Sequence, residues 1–258
     1  MHPLINIAIK AARNASKIIL RAIDRLDTIK IKEKNYNDFV TEIDQQTEQE
    51  IIATIRNAYP DHAILGEESG KSGNSNYTWI IDPIDGTTNF MHGNPHFCIS
   101  IGIQYKNTIE HGLIYDPLRQ ELFTATSGSG AFLNTRRVRV AQRQQFLGSI
   151  IACGFSHKIT NLETYLKILA KLLPRAASIR RSGSAALDLA YVACGRLDGF
   201  WTMDCAPWDI AAGTLIVQEA GGIVTDFNGS SNYMESGKII TGNSHIVTLL
   251  MQIIKNVV

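Results

Sequence analysis

Residues 79–90 read WIIDPIDGTTNF. An apolar run, Trp79-Ile80-Ile81, stops at Asp82, and Asp85 stands three residues further on, with Pro83 and Ile84 between them. A short apolar run of this kind reads as a buried strand. Removing a carboxylate from water there is costly unless its charge is compensated. Within an extended strand, residues three apart point to opposite faces. Asp82 and Asp85 therefore share one site only if the chain bends between them. Pro83 removes a ladder donor and favours leaving the sheet at that point. Ile84 is then caught in a turn, with its carbonyl able to face the same site. Gly86 permits a close backbone approach. Thr87-Thr88-Asn89 reads as the first turn of a helix, whose N–H groups suit an anion.

The pattern on either side predicts alternating layers. Apolar positions at helical spacing (Leu4, Ala8, Ala11, Ala12, Ala15, Ile18, Ile19, Ala22) predict a helix over 2–24, and Ile43, Ile51, Ile52 and Ile55 predict another over 42–58. Strand-like runs follow at 63–65, 79–81, 97–105, 108–115 and 121–126, with 127–130 (SGSG) as a loop. The second half alternates. Strands are expected at 149–152, 199–203, 223–226 and 238–241. Helices are expected at 162–173, from the Ser182-Gly183-Ser184 cap through Ala193, at 208–220 and at 245–254. Such an order implies a layered α/β fold.

Composition narrows the class without naming a chemistry. The 258 residues are 45% hydrophobic and 19% charged with a formal net charge of +1, so nothing demands a nucleic acid or an anionic membrane. No apolar run approaches the roughly 20 residues of a membrane span, and no block resembles a signal peptide. The four cysteines (Cys98, Cys153, Cys194, Cys205) are scattered without a CxxC. Reduced thiols and a cytoplasmic location are the expectation.

Other acids stand at similar junctions. Glu67 and Glu68 follow the 63–65 strand, Asp209 follows Pro207 at a helix start, and Asp44 follows Thr41 at another. Taken singly, an Asp near a helix start is usually a cap and a Glu-Glu pair in a loop is usually solvated. Asp82-Pro-Ile-Asp85-Gly-Thr is more specific, because capping does not need two acids around Pro-Ile. The i, i+3 spacing excludes the haloacid dehalogenase arrangement, whose two aspartates stand at i and i+2. Gathered oxygen ligands without Cys or His favour a hard cation, Mg2+ before Zn2+.

WIIDPIDGTTNF and WDIAAGTLIVQEAGGIVTD (208–226) resemble the two signatures of the inositol monophosphatase family. NDFVTEID (37–44), GEES (66–69) and GSAALDLAYVACGRLDGF (183–200) are similar to other family segments. The opening MHPLINIAIKAARNAS resembles its bacterial SuhB-like branch. The resemblance covers nearly the whole chain. It implies an α/β/α/β/α sugar-phosphatase fold as a single domain over 1–258. The half at about 1–145 would carry the metal motif, and the half at about 146–258 the substrate side and the second metal aspartate.

Carried over residue by residue, the resemblance makes Glu67, Asp82 and the Ile84 carbonyl ligands of one Mg2+. Asp82, Asp85 and Asp209 become ligands of a second, with Glu68 in support. It makes Glu67, Thr87 and Asp44 the catalytic group, with Asp44 accepting a hydrogen bond from Thr87. Glu67, Ile84, Asp85, Gly86, Thr87, Arg180 and Asp209 would contact substrate. Lys34 resembles a mobile-loop lysine near the metals, Arg181 lies near a subunit interface by the same resemblance, and His92 and His96 are read as structural.

Thr202 departs from the pattern. The family has a glutamate there, seven residues before the second-site aspartate, to bind an inositol hydroxyl. Losing a charge-assisted bond costs roughly 1.5–3 kcal/mol of discrimination. Ala206 departs too, where the bacterial branch has arginine.

The expected activity is Mg2+-dependent hydrolysis of small phosphomonoesters, inositol 1-phosphate first, with sugar phosphates and glycerol 2-phosphate as alternatives. A nucleotide-directed relative is disfavoured because no insertion provides room for a base. The expected partners are a second copy of the chain and, because the SuhB-like branch is associated with ribosomal RNA transcription, an antitermination or elongation factor of RNA polymerase. Sequence-specific nucleic-acid binding is not expected. A protein-binding antitermination module with vestigial activity is the competing reading.

Overall fold

The computed structural model describes residues 2–35, 38–155 and 162–257; for Lys34, Asn35 and Asp38 it describes the backbone alone. Helix α1 (Pro3–Ala22) starts on a proline, which at that position removes no helical hydrogen bond, and buries a stripe of alanines. It tightens into a 3-10 turn over Ile23–Thr28. Strands β1 (Ile31–Asn35) and β2 (Asp38–Thr41) form an antiparallel hairpin that feeds α2 (Glu42–Ala58).

The next stretch supplies most of the strands. In chain order these are β3 (Ala63–Gly66), β4 (Gly70–Ser72), β5 (Tyr77–Asp85), a short helix α3 (Thr87–Met91), β6 (Cys98–Tyr105), β7 (Thr108–Asp116), β8 (Glu121–Thr126), β9 (Gly130–Leu133) and β10 (Arg136–Arg137). They make an eight-stranded sheet in the order β10-β9-β8-β7-β6-β5-β3-β4, antiparallel except for the β3–β5 pair. The remaining elements are β11 (Ile150–Cys153), α4 (Leu162–Leu172), β12 (Ser178–Arg180), α5 (Ala185–Ala193), β13 (Gly199–Thr202), α6 (Pro207–Glu219), β14 (Ile223–Thr225), α7 (Tyr233–Ser236), β15 (Ile239–Gly242) and α8 (Ser244–Lys255). Their strands form a five-stranded sheet in the order β12-β11-β13-β15-β14.

Strand alternation sorts the core into layers. In β6, Ile99, Ile101 and Ile103 face α1 and α2, while Cys98 faces the other way into the cluster built by α5 and α6. In the second sheet, Ala152, Phe200 and Ile239 face α5 and α6, and Ile151, Trp201 and Ile240 face α4 and α8. The order is α1-α2, sheet, α5-α6, sheet, α4-α8, the expected α/β/α/β/α sandwich. Helix α6 is buried along almost its whole length, from Ile210 to Val217, as a helix enclosed by two sheets must be. No helix among the described residues is long and apolar enough to cross a membrane. The four cysteines are free thiols.

The main departure from expectation lies at Pro83. The chain does not leave the sheet there; β5 runs on to Asp85. Asp82 pairs with Ser100 and Asp85 with Cys98, so two residues of β5 oppose one of β6. This is a bulge, a place where proline's missing N–H is tolerated. The extra residue resets the alternation. Ser100 and Cys98 are two apart on one face of β6, and Asp82 and Asp85, an odd number apart, are brought to one side. The hairpin β1–β2 and the short strands β4, β9, β10 and β12 lie in stretches for which the sequence pattern predicts no element, and Gly130, expected in a loop, opens β9.

Close packing of the middle layer leads to a test. A Cβ on Gly112 of β7 would lie 2.6 Å from the Ala212 carbonyl oxygen of α6, and backbone on both sides leaves no route of relief. We expect Gly112→Ala to destabilise the protein by about 1–3 kcal/mol, read as a lower urea midpoint at unchanged slope.

Candidate active site

The bulge at the end of β5 presents Asp82 and Asp85, both nearly buried at 2% and 9% exposure. Strand β3 runs parallel to β5, pairing Gly66 with Ile81. The Glu67 N–H extends that ladder by donating to the Ile81 carbonyl at 3.1 Å. Glu67 and Asp82 thus emerge side by side from neighbouring strands. Asp209 comes from the first turn of α6, with Oδ2 accepting from the Ala206 N–H at 2.8 Å.

Electrostatics shows that these segments converge. The Asp82 carboxyl is pushed well above the usual carboxylate range, first by burial, then by the charges of Glu67, Asp85 and Asp209, and by a side-chain hydrogen bond with Glu67. Asp85 is raised to about 6, again by burial. Opposing that shift, its Oδ2 accepts from the Ser184 hydroxyl at 2.6 Å and the Ala186 N–H at 2.7 Å, and the Arg181 charge also lowers it. Asp82 Oδ1 accepts from the Ile84 N–H at 3.0 Å.

On the far side of the bulge, Gly86 has φ 98°, and an added Cβ would lie 3.0 Å from the His96 carbonyl oxygen and 3.2 Å from that of Gly183. Only glycine fits both the backbone and the space. The Thr87 hydroxyl lies 2.9 Å from Asp44 Oδ1 and 3.0 Å from the Ile84 carbonyl oxygen. It has one proton and two acceptors for it, so its lone pairs are left to accept. Asp44 is fully buried and belongs to a capping box: Thr41 Oγ1 accepts from the Ile43 and Asp44 N–H groups, and Asp44 Oδ2 accepts from the Thr41 N–H at 2.8 Å. Burial raises its carboxyl, partly opposed by bonds from Thr41 and Thr87.

Not every residue singled out in the sequence joins this cluster. Arg180 is exposed, and its guanidinium turns back on Ser178 Oγ and the Ile179 carbonyl of its own strand. Arg181, which donates to the Phe155 carbonyl at 3.2 Å, is the arginine whose charge reaches Asp85. Thr202 is buried, donates to the Met203 carbonyl and receives the Cys205 thiol. His92 lies 3.0 Å from the Thr88 carbonyl oxygen, and the His96 imidazole is held below its usual range by burial and by Arg119. The Lys34 side chain lies outside the described residues. Ala206 precedes α6 and gives its N–H to Asp209.

Sequence reading missed Ser184, seen only as a helix cap, and Asp188. Ser184 also caps α5 by accepting from the Leu187 N–H, so the cap was legible, but its bond to a residue 99 positions away was not. Asp188 is buried and raised to about 7 by burial, and it accepts from the Ser182 hydroxyl at 2.5 Å.

Among the described residues, no three Cys, His, Asp or Glu side chains are already drawn onto one point as metal ligands; Asp85 and Asp209 each turn an oxygen to N–H donors instead. The donor chemistry nonetheless fits a divalent cation. A buried acid such as Asp82, raised further by its acidic neighbours, needs counter-charge, and an all-oxygen set without Cys or His suits Mg2+.

The comparisons agree along the whole chain. A profile described as "Inositol monophosphatase family" matches residues 1–258. A relative from Pseudomonas aeruginosa, "Nus factor SuhB", is 49% identical over 262 residues, covering 99% of this chain and 97% of that protein. The crystal structure of extragenic suppressor protein suhB from Bartonella henselae superposes with a TM-score of 0.97 at 40% identity over 100% of both chains. That of an inositol monophosphatase from Anabaena has a TM-score of 0.87 at 36% identity, covering 98% of this chain and 95% of that one. With the fold, the bulge motif and these full-length matches in accord, the chain belongs to the inositol monophosphatase family.

Proposed function

We propose that this protein is a Mg2+-dependent phosphatase of small phosphomonoesters, with inositol 1-phosphate as the leading substrate. The observation that carries the reading is Asp82, a buried carboxyl facing the charges of Glu67, Asp85 and Asp209. Such a cluster repels a phosphate unless cations occupy it. Glu67, Asp82 and the Ile84 carbonyl would hold one ion, and Asp82, Asp85 and Asp209 a second. Bound Mg2+ supplies the positive charge that attracts the phosphate and stabilises the charge developing as the ester breaks.

The chain's own groups do the rest. Thr87 commits its proton to Asp44 or to the Ile84 carbonyl, so its oxygen accepts from the attacking water. Glu67 orients the same water from the end of the neighbouring strand β3. The Gly86 and Thr87 N–H groups receive the phosphate, and Arg180 or Arg181 approaches from the second half. Thr202, already engaged with Met203 and Cys205, offers no carboxylate to a sugar hydroxyl, which favours a broader range of phosphomonoesters.

A second role has its own support, the 49% identity to a Nus factor. We propose that the protein also works as a homodimer in the cytoplasm and binds a transcription elongation or antitermination factor of RNA polymerase. Pull-down with that factor separates the roles. Asp82→Asn is expected to retain binding and lose hydrolysis; loss of both together would refute their independence.

Phosphate release from a panel of inositol, sugar and glycerol phosphates, with and without Mg2+, tests the activity directly. Asp85→Asn keeps an oxygen for Ser184 and Ala186, so the fold should survive. Turnover at saturating Mg2+ should fall about a hundredfold or more, and near-normal turnover would sink the assignment. The pH dependence follows from the sign of the shifts. A carboxyl raised to about 6 in the folded protein holds a proton that the unfolded chain releases down to about 3.9. Without metal, this group's contribution to stability therefore falls as pH rises from about 4 to 6. Mg2+ replaces that proton, so it should raise the melting temperature more at pH 7.5 than at pH 5. An equal shift at both values would count against the cluster as the cation site.

A further inference from the structure

Glu48 lies on α2 one turn beyond Asp44 and is 2% exposed. From sequence it is one more polar helix residue. In the structure both its carboxylate oxygens accept backbone N–H groups from the turn between β3 and β4. Oε2 takes that of Glu68 at 2.9 Å and Oε1 that of Ser69 at 2.8 Å. The donors are 20 and 21 positions away, so this is not a cap of its own helix. Gly66 packs directly against the same carboxylate: a Cβ there would sit 2.6 Å from Glu48 Cδ and Oε2. Gly66 does not have positive φ, so the reason for glycine at this position is room for Glu48.

Glu67 sits inside this grip. Its own N–H goes to the Ile81 carbonyl of β5, one residue before Asp82, and the next two N–H groups go to Glu48. Its backbone is therefore fixed by the sheet on one side and by α2 on the other. The same helix holds Thr87 through Asp44 Oδ1. Two buried carboxylates four residues apart, about 6 Å along the helix axis, tie the GEES turn and the Gly86-Thr87 turn to one rigid element.

We propose that Glu48 is a positioning residue of the metal site: it touches neither ion nor substrate, but holds the 66–69 turn so that Glu67 meets Asp82 at the spacing a divalent cation requires. The proposal rests on the reading above that Glu67 is a ligand. A turn already fixed loses little conformational freedom when an ion binds, and loss of such outer support costs 10- to 100-fold in metal affinity. A glutamine in place of Glu48 keeps the shape. It offers one carbonyl oxygen to two N–H groups and turns an NH2 toward the other, so the turn is released without a cavity.

The test is Mn2+ titration of the purified full-length protein, with free ion read by electron paramagnetic resonance, alongside melting temperature. Glu48→Gln should weaken Mn2+ binding about tenfold. Gly66→Ala, which keeps the Glu48 charge but crowds its carboxylate, should do the same, and the double variant should be no weaker than either single one because both act through one contact. Ile55→Val, in the core of the same helix, lowers stability and should bind Mn2+ as the parent does. Variants that melt lower yet bind Mn2+ with parental affinity would overturn the proposal and leave Glu48 a purely structural residue. Where Glu48→Gln fails to fold, Gly66→Ala decides by the same criterion. Parental protein that binds no Mn2+ would instead overturn the reading of the site, and this inference with it.

Discussion

Crowded negative charge at the end of β5 is the constraint around which this structure is arranged. Asp82 and Asp85 lie in the low-dielectric seam between two sheets, where a charge loses its hydration and feels its neighbours strongly. Burial dominates both shifts, and for Asp82 the like charges of three other acids add to it. A fold selected for stability alone would place apolar side chains there. The hydrogen bonds given to Asp85 by Ser184 and the α5 backbone, and to Asp44 by Thr41 and Thr87, keep the arrangement foldable.

The bulge makes the crowding geometrically possible. Regular pleating sends residues three apart to opposite faces. By opposing two residues of β5 to one of β6, the chain turns an odd spacing into a shared face without ending the strand. Proline is the residue suited to that place, since its missing N–H weakens no regular ladder pair. Continuing β5 to Asp85 also keeps both acids on a rigid strand and leaves Gly86 as the point where the backbone turns into α3. A true exit from the sheet at Pro83 would have put Asp85 on a loop, with a larger entropy cost for fixing it.

The layers were legible because strand alternation and helical periodicity report burial directly. Periodicity and caps locate α2 to its end residues, and α4, α6 and α8 to within a residue or so. The short strands β4, β9, β10 and β12 escape a sequence reading, because two to four residues carry no periodic signal. The acids were legible as types at strand and helix ends. What could not be read was which segment supports which. Ser184 looks like a cap and is one, yet it also binds Asp85. Glu48 looks solvated and is buried on a distant turn. Both are long-range contacts between residues whose local sequence already has a sufficient local explanation. Arg180 and Arg181 show the opposite limit: adjacent residues of one chemistry, the last of β12 and the one after it, that turn to different partners.

Helix starts surround the acid cluster and offset part of its charge. Asp44 lies in the first turn of α2, Thr87 opens α3, the Ala186 N–H that reaches Asp85 lies in the first turn of α5, and Asp209 lies in the first turn of α6. A helix start is worth at most roughly half a positive charge, so four supply at most about two. Arg181 adds one more at a distance. Asp44, Glu67, Asp82, Asp85 and Asp209 bring five negative charges when all are ionised. The protein scaffold is therefore short of full compensation by about two charges, a deficit of the kind that protons or cations fill. Burial raises both the Asp82 and Asp85 carboxyls above their usual range, and for Asp82 the neighbouring acids raise it further. Because α6 is enclosed by both sheets, it cannot swing away to relieve the repulsion. The core that makes the fold stable is thus also what holds the acids close enough to need a counter-ion.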